Sequence, residues 1–242
     1  MSDHTSTSFG QAAALYDQSR PSYPPELLNR VLETADGPVV DCGAGTGLLT
    51  RVLLGLGHEV VAVEPDPLMR QQLRRASPQL TVLEGSAESM PLPDASARAV
   101  VFGQAWHWVD VTAASREADR ILTSGGCLIL VWNIRNEGAG WVRALTEVMG
   151  RSPAESLILG PGPAVAAPFR LDRLETADWD RVVTPETIRG LVRSRSPYLN
   201  AIPAEQRRVD AAVDRLLAEH PAIQGKVQFA LPYRTYAFRY TR

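Results

Sequence analysis

The segment from Val39 to Leu48 constrains the fold of this chain more than any other. It reads Val-Val-Asp-Cys-Gly-Ala-Gly-Thr-Gly-Leu, an apolar strand that ends in an acidic residue and runs into three alternate glycines. Glycine lets the backbone turn sharply and lets a ligand approach the main chain, and a following helix offers unpaired N–H groups. The pattern is therefore typical of a nucleoside-binding turn between a strand and a helix.

A second apolar strand follows at Val60 to Val63 and ends in Glu64. Between the two strands, residues 48–56 carry Leu and Val at helical spacing, and Gly55 and Gly57 predict the end of that helix. The unit is a strand–helix–strand crossover, which brings the ends of both strands to one edge of a parallel sheet. There Glu64 can accept hydrogen bonds from both hydroxyls of a ribose.

The alternation of strands and helices continues along the chain. Helices are predicted at 68–76 and 112–122, the second closed by Ser124-Gly125-Gly126, and strands at 80–83, 99–102 and 127–132. Further helices are predicted at 141–149, from the N-cap Thr184 through residue 192, and at 203–220. Segments 227–231 and 234–240 alternate like antiparallel strands. Near-continuous apolar strands separated by helices predict a parallel sheet covered on both faces.

Composition bounds the class of protein. The chain has 242 residues, of which 45% are hydrophobic, enough for one α/β core. No apolar run is long enough for a membrane span, and the net charge of −2 argues against non-specific nucleic-acid binding. The polar N-terminus lacks the pattern of a secretory signal, and the four scattered histidines predict no metal site. Cys42 and Cys127 indicate apolar packing in a reducing compartment, so we expect a cytoplasmic protein.

The spacing of the glycines differs from that of the turns that bind dinucleotides. A dinucleotide fingerprint requires G-x-G-x-x-G, but the sixth position counted from Gly43 is Leu48, and the register is G-x-G-x-G. This register resembles the S-adenosylmethionine (SAM) motif of the Rossmann-like methyltransferases. The resemblance implies an α/β fold with a Rossmann-like, seven-stranded, mostly parallel sheet, an antiparallel C-terminal strand and helices on both faces.

The resemblance extends beyond the glycines. Residues 84–94, Glu-Gly-Ser-Ala-Glu-Ser-Met-Pro-Leu-Pro-Asp, resemble the family segment that lies along adenine, and residues 103–110 resemble the branch of trans-aconitate methyltransferases and their small-acid relatives. Residues 9–16 and 20–24 are similar to a stretch that folds over the cofactor there. We expect one domain over residues 1–242, with an N-terminal helical lid at 9–37 and a SAM-binding core at 38–134. Residues 135–242 are expected to form the substrate-pocket insertion and the C-terminal part that completes the sheet.

The resemblance implies a set of cofactor-binding residues. They are Tyr16, Arg20, Asp41, Gly43, Ala44, Gly45, Gly47, Glu64, Pro65, Met69, Ser86, Ala87, Glu88, Gln104 and Ala105. Ser86 stands where many relatives carry Asp, so a carboxylate contact to the adenine amine would have to come from Glu88 or be absent. Arg20 is expected to bind the methionine carboxylate, with Tyr16 beside it. Alternatively, Arg20 is an exposed arginine before a proline-rich turn.

The acceptor side is predicted at Trp106, His107, Trp108 and Arg195. Indole faces suit a cationic sulfonium or a flat acceptor, although one tryptophan could simply close the core. His107 could act as a general base, the one catalytic residue predicted, or as a hydrogen-bonding pocket residue. If the acceptor is an anionic acid, Arg195 is a candidate to hold it, together with Arg135 and Arg193.

The sequence therefore predicts a SAM-dependent methyltransferase that acts on a small molecule and releases S-adenosylhomocysteine. Oxygen is favoured over nitrogen or carbon as the acceptor atom on the resemblance alone. A non-catalytic SAM-binding protein of the same fold and, less favoured, an NAD-dependent oxidoreductase are the alternatives. No nucleic-acid or membrane partner is expected, and the oligomeric state is left open.

Overall fold

A computed structural model of the protein describes residues 20–32 and 37–242. They divide into two compact units, each built from several stretches of the chain. We call residues 22–133, 156–177 and 235–242 the core unit, and residues 134–155 and 178–234, together with residues 20 and 21, the second unit. The prediction of a single domain stays a prediction.

Seven strands form one sheet in the order β3-β2-β1-β4-β5-β7-β6. Their bounds are β1 Val39–Cys42, β2 Val60–Val63, β3 Thr81–Leu83, β4 Ala97–Gly103, β5 Leu122–Arg135, β6 Arg170–Val183 and β7 Phe229–Thr241. Six strands are parallel and the C-terminal strand is antiparallel, which confirms the predicted Rossmann-like fold. Each of β5, β6 and β7 begins in one unit and ends in the other.

The register of the central strands sets the position of the candidate site. In β1, Val39 pairs with Val60 of β2 and with Ala99 of β4, and all three strands run parallel. Cys42, the last residue of β1, pairs with Val63, the last residue of β2. The loops that follow these strands therefore leave the sheet at the same edge, where open α/β sheets bind their ligands.

Helices in the core unit are α1 Pro25–Leu32, α2 Leu48–Gly55, α3 Pro67–Ala76 and α4 Val111–Ile121. Asp66 caps α3 by accepting hydrogen bonds from the amides of Leu68 and Met69, and Asp110 caps α4 through the amide of Ala113. Apolar residues of α1 and α2 pack with those of β1, β4 and β5 in one buried cluster. This cluster fixes the ends of the central strands, and with them the loops that carry the candidate site.

The remaining helices are α5 Gly140–Met149, α6 Pro153–Ile158, α7 Pro185–Arg193, α8 Ser196–Leu199 and α9 Pro203–Glu219. In the second unit, α5, α7 and α9 bury their apolar faces in a common cluster that includes Leu145, Ile188 and Val213. The predicted cap of α7 is confirmed, because the Thr184 hydroxyl accepts from the amide of Thr187 and Pro185 is the first helical residue.

Two local predictions were wrong. Residues Ser124 to Gly126 lie inside β5 and do not form a closing turn. The strand accommodates Gly125, which has a left-handed φ of 72°, where it is irregular and its register against β4 shifts between Ala97 and Ala99. A single strand, β7, spans Phe229–Thr241 in place of two strands, and the carbonyl of Pro232 still accepts a hydrogen bond from the amide of Asn136.

Strand β6 was missed altogether. Its sequence, RLDRLETADWDRVV, carries charged residues on both faces and lacks apolar alternation. The strand lies at the edge of the sheet, where side-chain ion pairs such as Arg239–Asp172 and Arg234–Asp178 cover it. Edge strands tolerate this pattern because only one of their faces packs against apolar neighbours, so hydrophobic periodicity does not reveal them.

Candidate functional site

The loop between β1 and α2 adopts a conformation that requires its glycines. Gly43, Gly45 and Gly47 have φ values of 71°, 57° and 87°, in the left-handed region that side chains with a Cβ avoid. The loop is fixed against β2, because the amides of Gly43 and Ala44 both donate to the carbonyl of Val63, at 2.9 and 3.3 Å. The turn is therefore held rigidly at the edge of the sheet.

The three glycines face different surroundings. A Cβ on Gly43 would lie 2.7 Å from the Cβ of Ala105, and one on Gly47 would run into the side chain of Leu73. A Cβ on Gly45 would have no described heavy atom within 4 Å. Packing therefore explains two of the glycines, whereas the third borders open space, where a ligand could contact the main chain.

Glu64 is bonded to both sides of this loop. Its Oε2 accepts a hydrogen bond of 2.8 Å from the amide of Gly45, and its Oε1 accepts one of 2.9 Å from the amide of Asp66. The residue is only 6% exposed. Since a carboxylate has about four acceptor positions, each oxygen keeps capacity for one more donor, as the two hydroxyls of a ribose would need.

Two residues that the sequence analysis missed support Glu64. Arg70 is buried on α3 and donates from Nη1 to the carbonyls of Glu64 and Pro65, at 2.9 and 2.6 Å. Its Nη2 pairs with Glu84 at 2.8 Å. Asp66 holds the start of the same helix, and the Asp-Pro pair at residues 66 and 67 is a helix-start signal that could have identified it. No sequence motif points to Arg70, because its partners in the preceding turn are backbone carbonyls, which any residue type supplies.

Asp41 lies beneath the loop at the end of β1. Its Oδ2 accepts a hydrogen bond of 2.5 Å from the hydroxyl of Thr50 on α2, and its Oδ1 has no hydrogen-bond partner among the described residues. Complete burial raises the pKa of Asp41 to about 7. The hydrogen bond from Thr50 opposes this rise in pKa, and the negative charge of Glu64 adds to it. Asp41 thus links strand and helix, and its second oxygen is available to a ligand or a proton.

The loop after β3 is closed by its own backbone. The amides and carbonyls of Ser86 and Ser89 exchange hydrogen bonds of 3.1 and 3.2 Å, and Ala87 between them is buried. Glu88 Oε1 accepts a 2.9 Å hydrogen bond from the amide of Asp110. The Glu88 carboxylate therefore positions the loop before α4, which leaves its other oxygen for any contact with an adenine amine.

Gln104 follows β4 with a left-handed φ of 59°, unusual for a residue with a side chain. Two hydrogen bonds hold this conformation. The backbone amide of Gln104 donates to the carbonyl of Val131, and the side-chain Nε2 donates to the carbonyl of Asn133. Such strain persists only where surrounding contacts enforce it, and it is common at functional sites. The turn brings Ala105 against Gly43.

Residues Trp106 to Trp108 form a short 3-10 helix, so the strand does not continue through them. Trp106 is 2% exposed, its ring lies 4.8 Å from that of Phe102, and its indole N–H donates to the carbonyl of Ala164. Trp106 therefore packs in the core. Trp108 is 72% exposed, and of the two tryptophans only this one presents its ring to solvent.

His107 lies between these tryptophans, with its ring 4.9 Å from that of Trp108. Its Nδ1 is buried and has no hydrogen-bond partner within the described part of the chain. Burial lowers the pKa of His107, so the imidazole is neutral at pH 7. A neutral imidazole with an unused nitrogen can accept a proton or a hydrogen bond.

The structure places two predicted residues in the second unit. Arg20 donates from Nη2 to the carbonyl of Ser194 at 3.1 Å. Arg195 is 4% exposed and donates from Nη1 to the carbonyls of Met149 and Gly150, and from Nη2 to Glu155. Tyr16 lies outside the described residues. The other predicted cofactor residues all belong to the core unit. Asp41 lies in β1 and Met69 in α3, and the rest lie on the loops after β1, β2, β3 and β4.

Comparison with known proteins gives the family. A model described as a methyltransferase domain matches residues 40–130. An uncharacterized methyltransferase of Mycobacterium tuberculosis is 44% identical over 239 residues, which cover 98% of this chain and 96% of the relative. The chain belongs to the methyltransferase family. An uncharacterized methyltransferase-like protein of Schizosaccharomyces pombe is 30% identical over 95% of this methyltransferase and 93% of its own length.

Solved structures confirm the class I methyltransferase fold. A putative type II methyltransferase from Anaeromyxobacter dehalogenans has a TM-score of 0.71 at 22% identity, covering 91% of this methyltransferase and 96% of that chain. A putative methyltransferase from an antibiotic biosynthesis pathway of Anabaena variabilis has a TM-score of 0.55 at 20% identity, covering 91% and 99%. At these identities the likeness concerns the fold.

Residues 20–32 and 37–242 contain no cluster of three or more His, Cys, Asp or Glu side chains arranged to hold a metal ion. Within the same ranges, no helix is both long and apolar enough to cross a bilayer. Cys42 and Cys127 are buried and form no disulfide.

Proposed function

We propose that this methyltransferase uses SAM and transfers its methyl group to a small-molecule acceptor, with oxygen favoured as the acceptor atom. The arrangement of Glu64 carries the proposal. Its carboxylate is fixed by the amides of Gly45 and Asp66, retains an acceptor position on each oxygen, and lies beside the open space at Gly45. This combination suits a ribose and an adjacent nucleoside better than it suits a structural cap.

The cofactor site fits what the residues offer. The family and fold imply SAM, and the open side of Gly45 gives a ligand access to the main chain. Glu64 would hold the ribose, the closed loop at Ser86 and Ala87 would lie along the adenine, and the turn at Gln104 and Ala105 would complete the site. SAM, when bound, supplies an activated methyl group on a sulfonium, so the protein must chiefly orient the acceptor and exclude water.

The acceptor side of the proposal rests on His107 and Trp108. The exposed indole of Trp108 offers a flat surface for an acceptor or a cation. The neutral His107 can take the proton of a hydroxyl acceptor, because its buried Nδ1 has no partner among the described residues. An acceptor that is already a carboxylate would need no base, and His107 would then act as a pocket residue.

Two rival functions predict different ligands. A non-catalytic protein would bind SAM without turnover, and an oxidoreductase would bind NAD. The left-handed Gly47 followed by Leu48 gives the loop the G-x-G-x-G register and speaks against NAD. A small-molecule acceptor is proposed over nucleic acid because the net charge is −2, and two buried thiols fit a reducing cytoplasm.

Calorimetric titration with SAM, S-adenosylhomocysteine and NAD tests the cofactor. We expect micromolar binding of the first two, weakened at least tenfold in Glu64→Ala, a loss of about 1.4 kcal/mol. Glu59→Ala, an exposed carboxylate of the same unit, serves as the matched control and should bind normally. Binding of NAD alone, or equal affinity in Glu64→Ala, would contradict the proposal.

Transfer itself is measured with SAM labelled in its methyl group. Phenols, hydroxylated acids and carboxylic acids form the first acceptor panel. Label recovered in an O-methyl product supports the proposed reaction, whereas label recovered on nitrogen or carbon refutes the favoured acceptor atom. Tight SAM binding with no transfer to any acceptor in the panel favours the non-catalytic alternative.

A further inference from the structure

The loop after β3 has little regular structure of its own. It spans residues 84–94, which we call the β3 loop. The backbone hydrogen bonds described within it join Ser86 to Ser89 and the amide of Leu92 to the carbonyl of Met90. A segment of this kind keeps one conformation only where other parts of the protein hold it. The side chains that bind the β3 loop therefore determine how well its conformation is fixed.

Two side chains of α4 bind the second half of this loop. Glu117 Oε1 accepts a hydrogen bond of 2.7 Å from the amide of Met90. Arg120 donates from Nη2 to the carbonyl of Met90 at 3.0 Å, and from Nη1 to the carbonyl of Leu92 at 2.9 Å. The same Nη1 donates to the carboxylate of Asp94 at 2.6 Å. Both backbone polar groups of Met90 are thus bound to the helix.

Glu117 and Arg120 also fix each other. They lie three residues apart on α4, and Nε and Nη2 of Arg120 donate to Oε2 and Oε1 of Glu117 at 2.9 and 2.7 Å. A guanidinium with two parallel hydrogen bonds to a carboxylate has a set orientation, so its remaining N–H groups point in defined directions. The hydrogen bond from Arg120 lowers the pKa of Glu117, which keeps the carboxylate ionised at pH 7. We call this pair the α4 clamp.

The clamped segment packs against the front of the same loop. A Cβ on Gly85 would lie 2.7 Å from Cδ of Pro91 and 3.0 Å from the carbonyl oxygen of Ser89. That carbonyl also accepts a hydrogen bond of 3.1 Å from the amide of Ser86. Because these contacts are so close, a shift of the clamped segment would also shift residues 86–88.

Residues 86–88 are the part of the loop proposed to lie along the adenine. Ala87 is buried, and Glu88 accepts a hydrogen bond from the amide of Asp110, the N-cap residue of α4. Helix α4 therefore holds the β3 loop at two places, its N-terminus and the α4 clamp about two turns further on. Neither residue of the clamp is among those proposed to contact SAM, so both would act through the loop.

We infer that Glu117 and Arg120 are positioning residues of the cofactor site, and that they set its affinity for the adenosine part of SAM by holding the β3 loop. The inference rests on the proposed function. A ligand that needs one conformation binds more weakly when fewer molecules adopt it. If loss of the clamp leaves the binding conformation in about one molecule in ten, the Kd rises about tenfold.

Arg120→Lys tests the inference in the full-length protein. Lysine keeps the positive charge, but its single ammonium group cannot bind Glu117, Met90 and Leu92 together. In calorimetric titrations we expect the Kd for SAM and the Kd for adenosine each to rise about tenfold, a loss of about 1.4 kcal/mol. The two factors should be equal, because the β3 loop is proposed to contact the part that both ligands share.

Arg242→Lys is the matched control. Arg242 donates to Asp119 of α4 and to the carbonyls of Leu122 and Thr123, and its side chain is 31% exposed, against 33% for Arg120. The substitution removes a comparable set of hydrogen bonds at the end of the same helix. It should lower the melting temperature by a similar amount and leave both Kd values unchanged, because these partners lie outside the β3 loop.

Amide hydrogen exchange without ligand, followed by mass spectrometry, measures the order of the loop directly. Peptides that cover residues 86–92 should exchange about fivefold faster in Arg120→Lys than in the wild type or Arg242→Lys. If Arg120→Lys fails to fold, Glu117→Gln replaces it, because glutamine keeps an acceptor for the amide of Met90 and loses the charge that orients Arg120. It should show the same two effects to a smaller extent.

Equal Kd values in the wild type and the folded clamp variant would overturn the inference and leave the proposed use of SAM intact. A rise in the Kd for SAM without one for adenosine would also overturn it. So would an equal loss of affinity in Arg242→Lys, because general destabilisation would then explain the effect. If the wild type binds no SAM, the proposed function fails, and the inference fails with it.

Discussion

Replacement of Gly45 by alanine separates a glycine kept for a ligand from one kept for the fold. Gly45 has a φ of 57°, and a Cβ there would have no described heavy atom within 4 Å. Gly57, after α2, offers a matched control, because it has a φ of 87° and its Cβ would equally meet nothing. Both substitutions impose the left-handed conformation on an alanine, and neither creates a clash with the described protein.

The expected magnitudes follow from these geometries. A left-handed conformation costs alanine roughly 1–2 kcal/mol, partly offset by the smaller entropy of its unfolded chain. Gly45→Ala and Gly57→Ala should therefore lower the free energy of unfolding by similar amounts, about 1 kcal/mol. Only at Gly45 does the added methyl group enter the space beside the amide that binds Glu64. There we expect the Kd for SAM to rise at least tenfold.

The assay is urea unfolding of each variant, followed by calorimetric titration with SAM. Gly43→Ala adds a useful contrast, since its Cβ would lie 2.7 Å from that of Ala105 and should destabilise the fold more than either substitution. Equal affinity for SAM in Gly45→Ala and Gly57→Ala would refute a ligand-binding role for Gly45. A clearly larger loss of stability in Gly45→Ala than in Gly57→Ala would also refute it, because packing would then explain the glycine.

Further predictions concern four side chains. Burial puts the pKa of Asp41 at about 7 in the folded state against 3.8 for the unperturbed group, so wild-type stability should fall as pH rises from about 4 to 7. Asp41→Asn should flatten that slope in urea unfolding; identical slopes would disprove the pKa shift. His107→Gln should lower kcat about 100-fold at unchanged Kd for SAM if His107 is the base, whereas an unaltered kcat leaves it a pocket residue. Trp108→Ala should change stability by less than about 0.5 kcal/mol while raising the KM of the acceptor, and an unchanged KM removes it from the site. Arg70→Met should lower the melting temperature and weaken SAM binding together, since it frees the carbonyls of residues 64 and 65; normal binding would show that its contacts are dispensable.

The central part of the fold followed from the sequence because its signals are local. Strands β1, β2 and β4 are short apolar runs, and each is followed by residues that end a strand. Helix α7 was predicted from its Thr-Pro start, and its capping pair forms as expected. Strand β6 gave no such signal, since an edge strand with charges on both faces has no apolar period to detect.

The same distinction applies to the candidate site. The two tryptophans near His107 look equivalent in sequence, but the 3-10 helix buries Trp106 against Phe102 and exposes Trp108. Arg195 is the predicted pocket arginine, with Arg135 as a further candidate, and this stays a prediction. Both pair with Glu155, but only Arg195 also donates to the carbonyls of Met149 and Gly150, which lie far from it along the chain.

Residue patterns alone predict the loop of three glycines, the acidic residue after β2 and the crossover between them, because backbone conformation and strand endings depend on neighbouring residues. Folding is needed to establish which carboxylates and guanidinium groups have unused hydrogen-bonding capacity. Glu64 keeps a position on each oxygen, and the Nε of Arg135 is left without a partner among the described residues. Burial and long-range contacts determine whether a polar group needs a partner, and both arise only when distant segments pack together.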